Sequence, residues 1–204
     1  MDELTRQILN REAKLLAPTL YEALDGAVAD AKTIRFSERE QPHLHSAWRR
    51  AAFREALKAE GLPGDWEVGG NSRQSGQTIL VLEHAGIRLR LLSESSVTTN
   101  GVPHAGSTSA RRHEWRTVTV PLSMFGGEAA PSRNLLLLMN TRSDTPTLRI
   151  VRTTEEGRFQ GKVACDYRLV MHRDVDTLGN TTFDTTEDDI NFYANIDREE
   201  TGDA

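Results

Sequence analysis

Gln77 to Leu92 reads QTILVLEHAGIRLRLL, and the rest of the chain is organised around it. Ile79 to Leu82 is a short continuous apolar run, and Ile87, Leu89 and Leu91 alternate with Arg88 and Arg90. The first pattern is that of a buried strand and the second that of a half-buried one. Between them, Glu83-His84-Ala85-Gly86 puts a glycine where a short hairpin loop needs a residue tolerant of positive φ. The stretch therefore predicts a β-hairpin.

Upstream the periodicity is helical. Residues 3–16 predict an amphipathic helix through Leu4, Ile8, Leu15 and Leu16, and Pro18 predicts a break before a second helix over Thr19–Ala31. A third helix, Ala47–Glu60, is expected with Ser46 as its N-cap and Gly61 and Pro63 as its stop. Trp48, Ala52, Phe53, Ala56 and Leu57 form its expected apolar arc, and Arg50, Arg54 and Lys58 a basic one.

From Asp65 onward the period becomes two. Strands are expected at Trp66–Gly69, Thr78–Glu83, Ile87–Leu92, Thr117–Leu122, Leu135–Asn140, Thr147–Arg152 and Lys162–His172. In the last, Val163, Cys165, Tyr167, Leu169 and Met171 would share one face, with Lys162, Asp166 and Arg168 on the other. The links read as hairpin-like, without helical crossovers. The expectation is an α+β fold: about three N-terminal helices, then a mainly antiparallel sheet of five to seven strands. Residues 1–62 would be the helical part, 63–175 the β-rich part and 176–204 an acidic tail. Ser93 to Trp115, rich in Ser, Thr and Gly, reads as a long binding loop, lid or insert.

Composition narrows the classes. The chain has 204 residues, 37% hydrophobic and 27% charged, so a modest core is expected. No apolar run approaches the roughly 18 residues of a membrane span, and the charged N-terminus lacks the apolar centre of a secretion signal. Cys165 is the sole cysteine, which excludes an intramolecular disulfide and a cysteine-based zinc cage. A cytoplasmic protein is expected. Thr181 to Ala204 holds eight acidic residues and Arg198, a net −7, against −5 for the whole chain, so the remainder carries +2. Ile190, Phe192, Tyr193 and Ile196 set apolar side chains within that acidic segment, as a docking segment rather than a purely solvating tail would.

Chemistry-bearing motifs are sparse. Asp174-Val-Asp176-Thr-Leu178-Gly179 opens like a calcium loop, but Leu178 at position 5 and Thr185 at position 12 do not continue it. His43 and His45, or Glu83 and His84, come without a recognisable third metal ligand. Gly69-Gly70 and Gly126-Gly127 lack the remainder of a phosphate-binding loop, and there is no Gly-x-Ser-x-Gly elbow. No cofactor and no metal are expected. The best catalytic candidates are His104, His113, Arg111 and Arg112, with Trp115 beside them. Two imidazoles can serve as base and acid, and an arginine can stabilise charge on phosphorus.

Two readings follow. In the first, a non-enzymatic intracellular protein, antitoxin-like or a regulatory subunit, engages a protein partner through Ile190, Phe192, Tyr193 and Ile196. In the second, a small metal-independent ribonuclease or phosphodiester enzyme uses the His/Arg cluster. Arg50, Arg54, Arg88 and Arg90 are candidate binding cations. A nucleic-acid partner is possible on them but disfavoured by net charge, and no membrane association is expected.

Overall fold

A computed structural model describes residues 1, 3–73, 76–116, 133–143 and 145–173. Two helices, α1 (Glu3–Lys32) and α2 (Pro42–Glu60), come first. Strands β1 (Glu67–Gly69), β2 (Ile79–Leu82) and β3 (Ile87–Ser93) follow, then the short helix α3 (Ser109–Trp115). Strands β4 (Arg133–Asn140), β5 (Thr147–Thr153) and β6 (Cys165–Met171) complete the order. The fold is α+β, and its one six-stranded sheet runs β1-β2-β3-β4-β5-β6, mostly antiparallel. The expected strand at Thr117–Leu122 and the tail at 176–204 lie outside the described residues.

The β2–β3 hairpin forms as its sequence requires. Leu82 pairs with Ile87 and Ile79 with Arg90 across a single 3-10 turn, and Gly86 takes φ 61°, the left-handed conformation that favours glycine. Leu80, Leu82, Ile87, Leu89 and Leu91 point to the helices.

Helix α1 does not break at Pro18. The proline is exposed, so its missing N–H removes a bond on the solvent side of the helix. Leu16, Ala17, Leu20, Tyr21 and Leu24 are buried around it. Each fully buried large apolar side chain contributes about 1.5–3 kcal/mol, which together outweighs the roughly 3 kcal/mol of an interior proline.

Helix α2 starts earlier than its sequence predicts. Pro42 occupies its first turn and Gln41 its N-cap position, so Ser46 lies inside the helix. There the Ser46 hydroxyl accepts from Arg50 Nη1 and meets Ser93 Oγ.

Two packing layers cover the sheet. The main core joins α1 and α2 to one face through Leu9, Leu16, Leu24, Phe53, Leu57, Leu89, Leu137 and Ile150, among others. The opposite face carries Leu136, Leu138 and Val151, roofed by Val102, Ala105, Trp115 and Val163. That roof corrects two expectations. Strands β3 and β4 are parallel, with Leu89 opposite Leu135 and Leu91 opposite Leu137, so the chain between them is a crossover and not a hairpin link. The Ser93–Trp115 stretch is correspondingly packed, and it ends in α3. Asn100 brackets Val163 with two hydrogen bonds, Trp115 Nε1 donates to Pro103 O (2.7 Å), and Ala105 N donates to Glu156 O.

The alternation of β6 also changes phase. A register shift between Arg152 and Thr153 leaves Asp166 as an extra residue between Cys165 and Tyr167. Cys165 thus packs with the outer cluster and Tyr167 and Met171 with the helix-side core. Asp166 turns to accept both guanidinium donors of Arg152 and the Met1 amine, and Arg168 remains exposed opposite Val151.

Candidate functional site

Alternation along β3 and β5 places Arg88, Arg90 and Arg149 on the outer face of the sheet, and the register adds Arg168. These cations share a face, and two of them are engaged by neighbouring groups. Arg149 Nε donates to Glu94 (2.5 Å) and its Nη2 to Asn100 O, while Arg90 pairs with Glu114 on α3. Both are ties that hold the crossover against the sheet. Arg88 and Arg168 are the exposed members.

The predicted basic stripe of α2 divides in the same way. Arg54 is buried, with Nη1 donating to Gly69 O and Gln77 O and Nη2 to Gly70 O. It closes the β1–β2 connection from inside and is not an exposed binding cation. Lys58 sits near Glu55 at 3.6 Å, an exposed pair of small energetic consequence. Arg50 is desolvated by burial and repelled by Arg49, and both effects lower its pKa.

His104, Arg111 and Arg112 of the His/Arg cluster each have their own partners. His104 meets Phe159 edge-on, with ring centroids 6.2 Å apart, whereas His113 is exposed on α3. Arg111 lies over the Trp115 ring at 5.8 Å, and Arg112 donates to Gly106 O with Glu156 at 3.6 Å. Among the described residues, no hydrogen bond or ion pair joins either imidazole to Arg111 or Arg112. Trp115 is 1% exposed and holds the roof down, which removes it as a stacking platform. An open cleft of about 830 Å³ lies nearby, lined by Arg116, Glu155, Glu156, Arg158 and Lys162 among others, and by neither histidine. Glu156 already takes Arg116 at 2.7 Å within it.

The two candidate metal pairs have other neighbours. His45 is buried, its Nε2 2.7 Å from Phe36 O, and His43 is exposed. His84 has Asp65 at 3.6 Å. No group of three or more potential metal ligands occurs among the described residues. Burial holds the Cys165 thiol in its neutral form by raising its pKa, against the weaker pull of Arg168. No helix among the described residues is long and apolar enough to cross a membrane.

One surface was missed at the level of sequence. Phe36 is 59% exposed, Leu44 40% and Trp48 49%, together at the tip of the α1–α2 hairpin. Leu44 and Trp48 are neighbours at i, i+4 on α2. The contact of His45 with Phe36 O brings the loop alongside them, and Arg49 Nη2 donates to Glu38 Oε1 at 2.6 Å to clasp it there. Trp48 was expected in the buried arc. At 100° per residue it stands 180° from Leu57, so an arc holding both spans half the helix, and burial centred on Phe53 and Leu57 leaves Trp48 outside. That angle was the available signal. Residues 32–50 carry five Lys and Arg against two Glu, a net +3, so the apolar tip has a cationic rim.

No protein-family model, curated protein or solved structure matches the chain.

Proposed function

We propose that this chain is a non-enzymatic intracellular binding protein, antitoxin-like or a regulatory subunit, that engages a protein partner through its acidic C-terminal segment. The observation that carries this reading is the segregation of charge. Residues 174–204 hold ten acidic residues and one arginine, a net −9, so residues 1–173 carry +4 of the chain's −5. Ile190, Phe192, Tyr193 and Ile196 lie within that acidic run and supply apolar anchors for a basic partner groove. A half-buried free thiol suits a reducing, cytoplasmic setting.

Phosphodiester cleavage by His104, His113, Arg111 and Arg112 has less support, because a scissile phosphate must be bracketed by acid, base and cation, and no hydrogen bond or ion pair among the described residues joins either imidazole to Arg111 or Arg112. The test is co-purification from the native host of the intact chain and of a Phe192→Ser/Tyr193→Ser variant. The captured protein is then identified and rebound in purified form. Retention by the intact chain alone supports the reading. If neither form retains a partner and the protein cleaves RNA in a manner abolished by His113→Ala, the enzymatic reading replaces it.

A further inference from the structure

The hairpin tip and the acidic segment have complementary chemistry. One exposes Phe36, Leu44 and Trp48 among Lys32, Arg35, Arg39 and His43, with Glu38 and Glu40 as the only exposed acids from 32 to 50. The other sets aromatic and aliphatic residues among carboxylates. We propose that residues 190–196 seat on this surface of their own chain, so that the segment is withheld from its partner until the partner displaces it. The proposal rests on the reading of that segment as partner-binding.

Chain geometry supports an occupant from the same molecule. The last described residue, Arg173, is fixed beside α1 by two hydrogen bonds to Asp25, at 2.5 and 2.8 Å. From Asp25 to Lys32 the helix advances only about 10 Å toward the tip. The sixteen residues between Arg173 and Ile190 can extend to roughly 50 Å, well beyond what is needed. A connection of this length gives an effective concentration on the order of millimolar, so a contact of only millimolar affinity is about half occupied. A second copy would have to match that concentration in solution.

Trp48 is a built-in reporter, since Trp66 and Trp115 are 4% and 1% exposed. Acrylamide quenching of tryptophan fluorescence in the full-length protein therefore reads the tip. In the Phe192→Ser/Tyr193→Ser variant the quenching constant should rise about twofold, the change expected when a half-occupied seat is vacated. Molar salt should have the same effect by screening the rim, and Phe36→Ser, at an exposed position, should reproduce it from the other side. Dilution should leave the intact protein unchanged.

Equal quenching of the intact and Phe192→Ser/Tyr193→Ser proteins overturns the proposal, and so does protection that disappears on dilution, which would make a second copy the occupant. The two readings fail separately. If that variant loses its partner without a change in quenching, the seat is wrong and partner binding stands. If quenching rises but the partner is retained, partner binding through this segment is wrong and the seat stands.

Discussion

The hydroxyl of Tyr21 on α1 donates to the carbonyl of Met171 on β6 at 2.6 Å, and accepts from Leu148 N of the neighbouring strand at 3.1 Å. One side chain thus satisfies two buried backbone groups where the helix crosses the far edge of the sheet. Arg173 lies over its ring at 4.5 Å and continues to Asp25. Tyr21→Phe preserves the ring and strands both backbone groups. An unsatisfied buried polar group costs about 1–3 kcal/mol, so the variant should lose stability in that range, with the urea midpoint lowered and the slope unchanged. A midpoint equal to wild type would show that water reaches these groups.

Arg54 and Arg88 distinguish an internal strut from a surface cation. Arg54→Met leaves Gly69, Gly70 and Gln77 carbonyls without their donor, and should cost about 2–4 kcal/mol. Arg88→Met changes an exposed side chain and should stay within about 0.5 kcal/mol. Paired urea titrations check the contrast, and equal losses would refute it.

Pro18→Ala should stabilise the protein. It restores an N–H on the exposed side of α1 and replaces the worst helix former with the best, a difference of up to about 3 kcal/mol. A gain of about 1–2 kcal/mol is expected, because the helix already accommodates the ring. A loss in thermal denaturation would mean that the proline shapes the α1–sheet contact.

Acid sensitivity follows from two aspartates. A hydrogen bond from Arg173 holds the Asp25 carboxyl below its usual pKa against partial desolvation. Burial alone would raise that of Asp166, but hydrogen bonds from Arg152 and the Met1 amine outweigh it and the net direction is down. A carboxylate with a depressed folded pKa contributes stability that is complete above its unfolded value, about 3.9 for Asp, and is lost as pH falls through the folded value. Stability should therefore decline below about pH 4, and Asp25→Asn with Asp166→Asn should flatten that decline while lowering stability at neutral pH. An unchanged acid limb in the double variant would assign the effect elsewhere.

Local pattern was sufficient for the hairpin, because a contiguous strand pair needs only its own alternation and a glycine at the turn. Gly86 at φ 61° and the Ile79–Arg90 register follow from those few residues. It was also sufficient for the α+β class, since a change of period from helical to two is visible in any window. The roles of the cations were not legible. Arg54, Arg90 and Arg149 look alike in sequence to Arg88, but each is committed to a partner 15 to 55 residues away.

The sequence by itself determined which residues are apolar, where the β2–β3 hairpin lies, that helices precede the sheet, and that acidity is concentrated after residue 173. Tertiary structure alone decided the parallel β3–β4 pair, the phase change at Asp166, the edge-on contact of His104 with Phe159, and the exposure of Phe36, Leu44 and Trp48. The physical reason is range. Periodicity reports which side of one element is buried, whereas a crossover, a bulge or a shared surface depends on contacts between segments distant in the chain, which no local window contains.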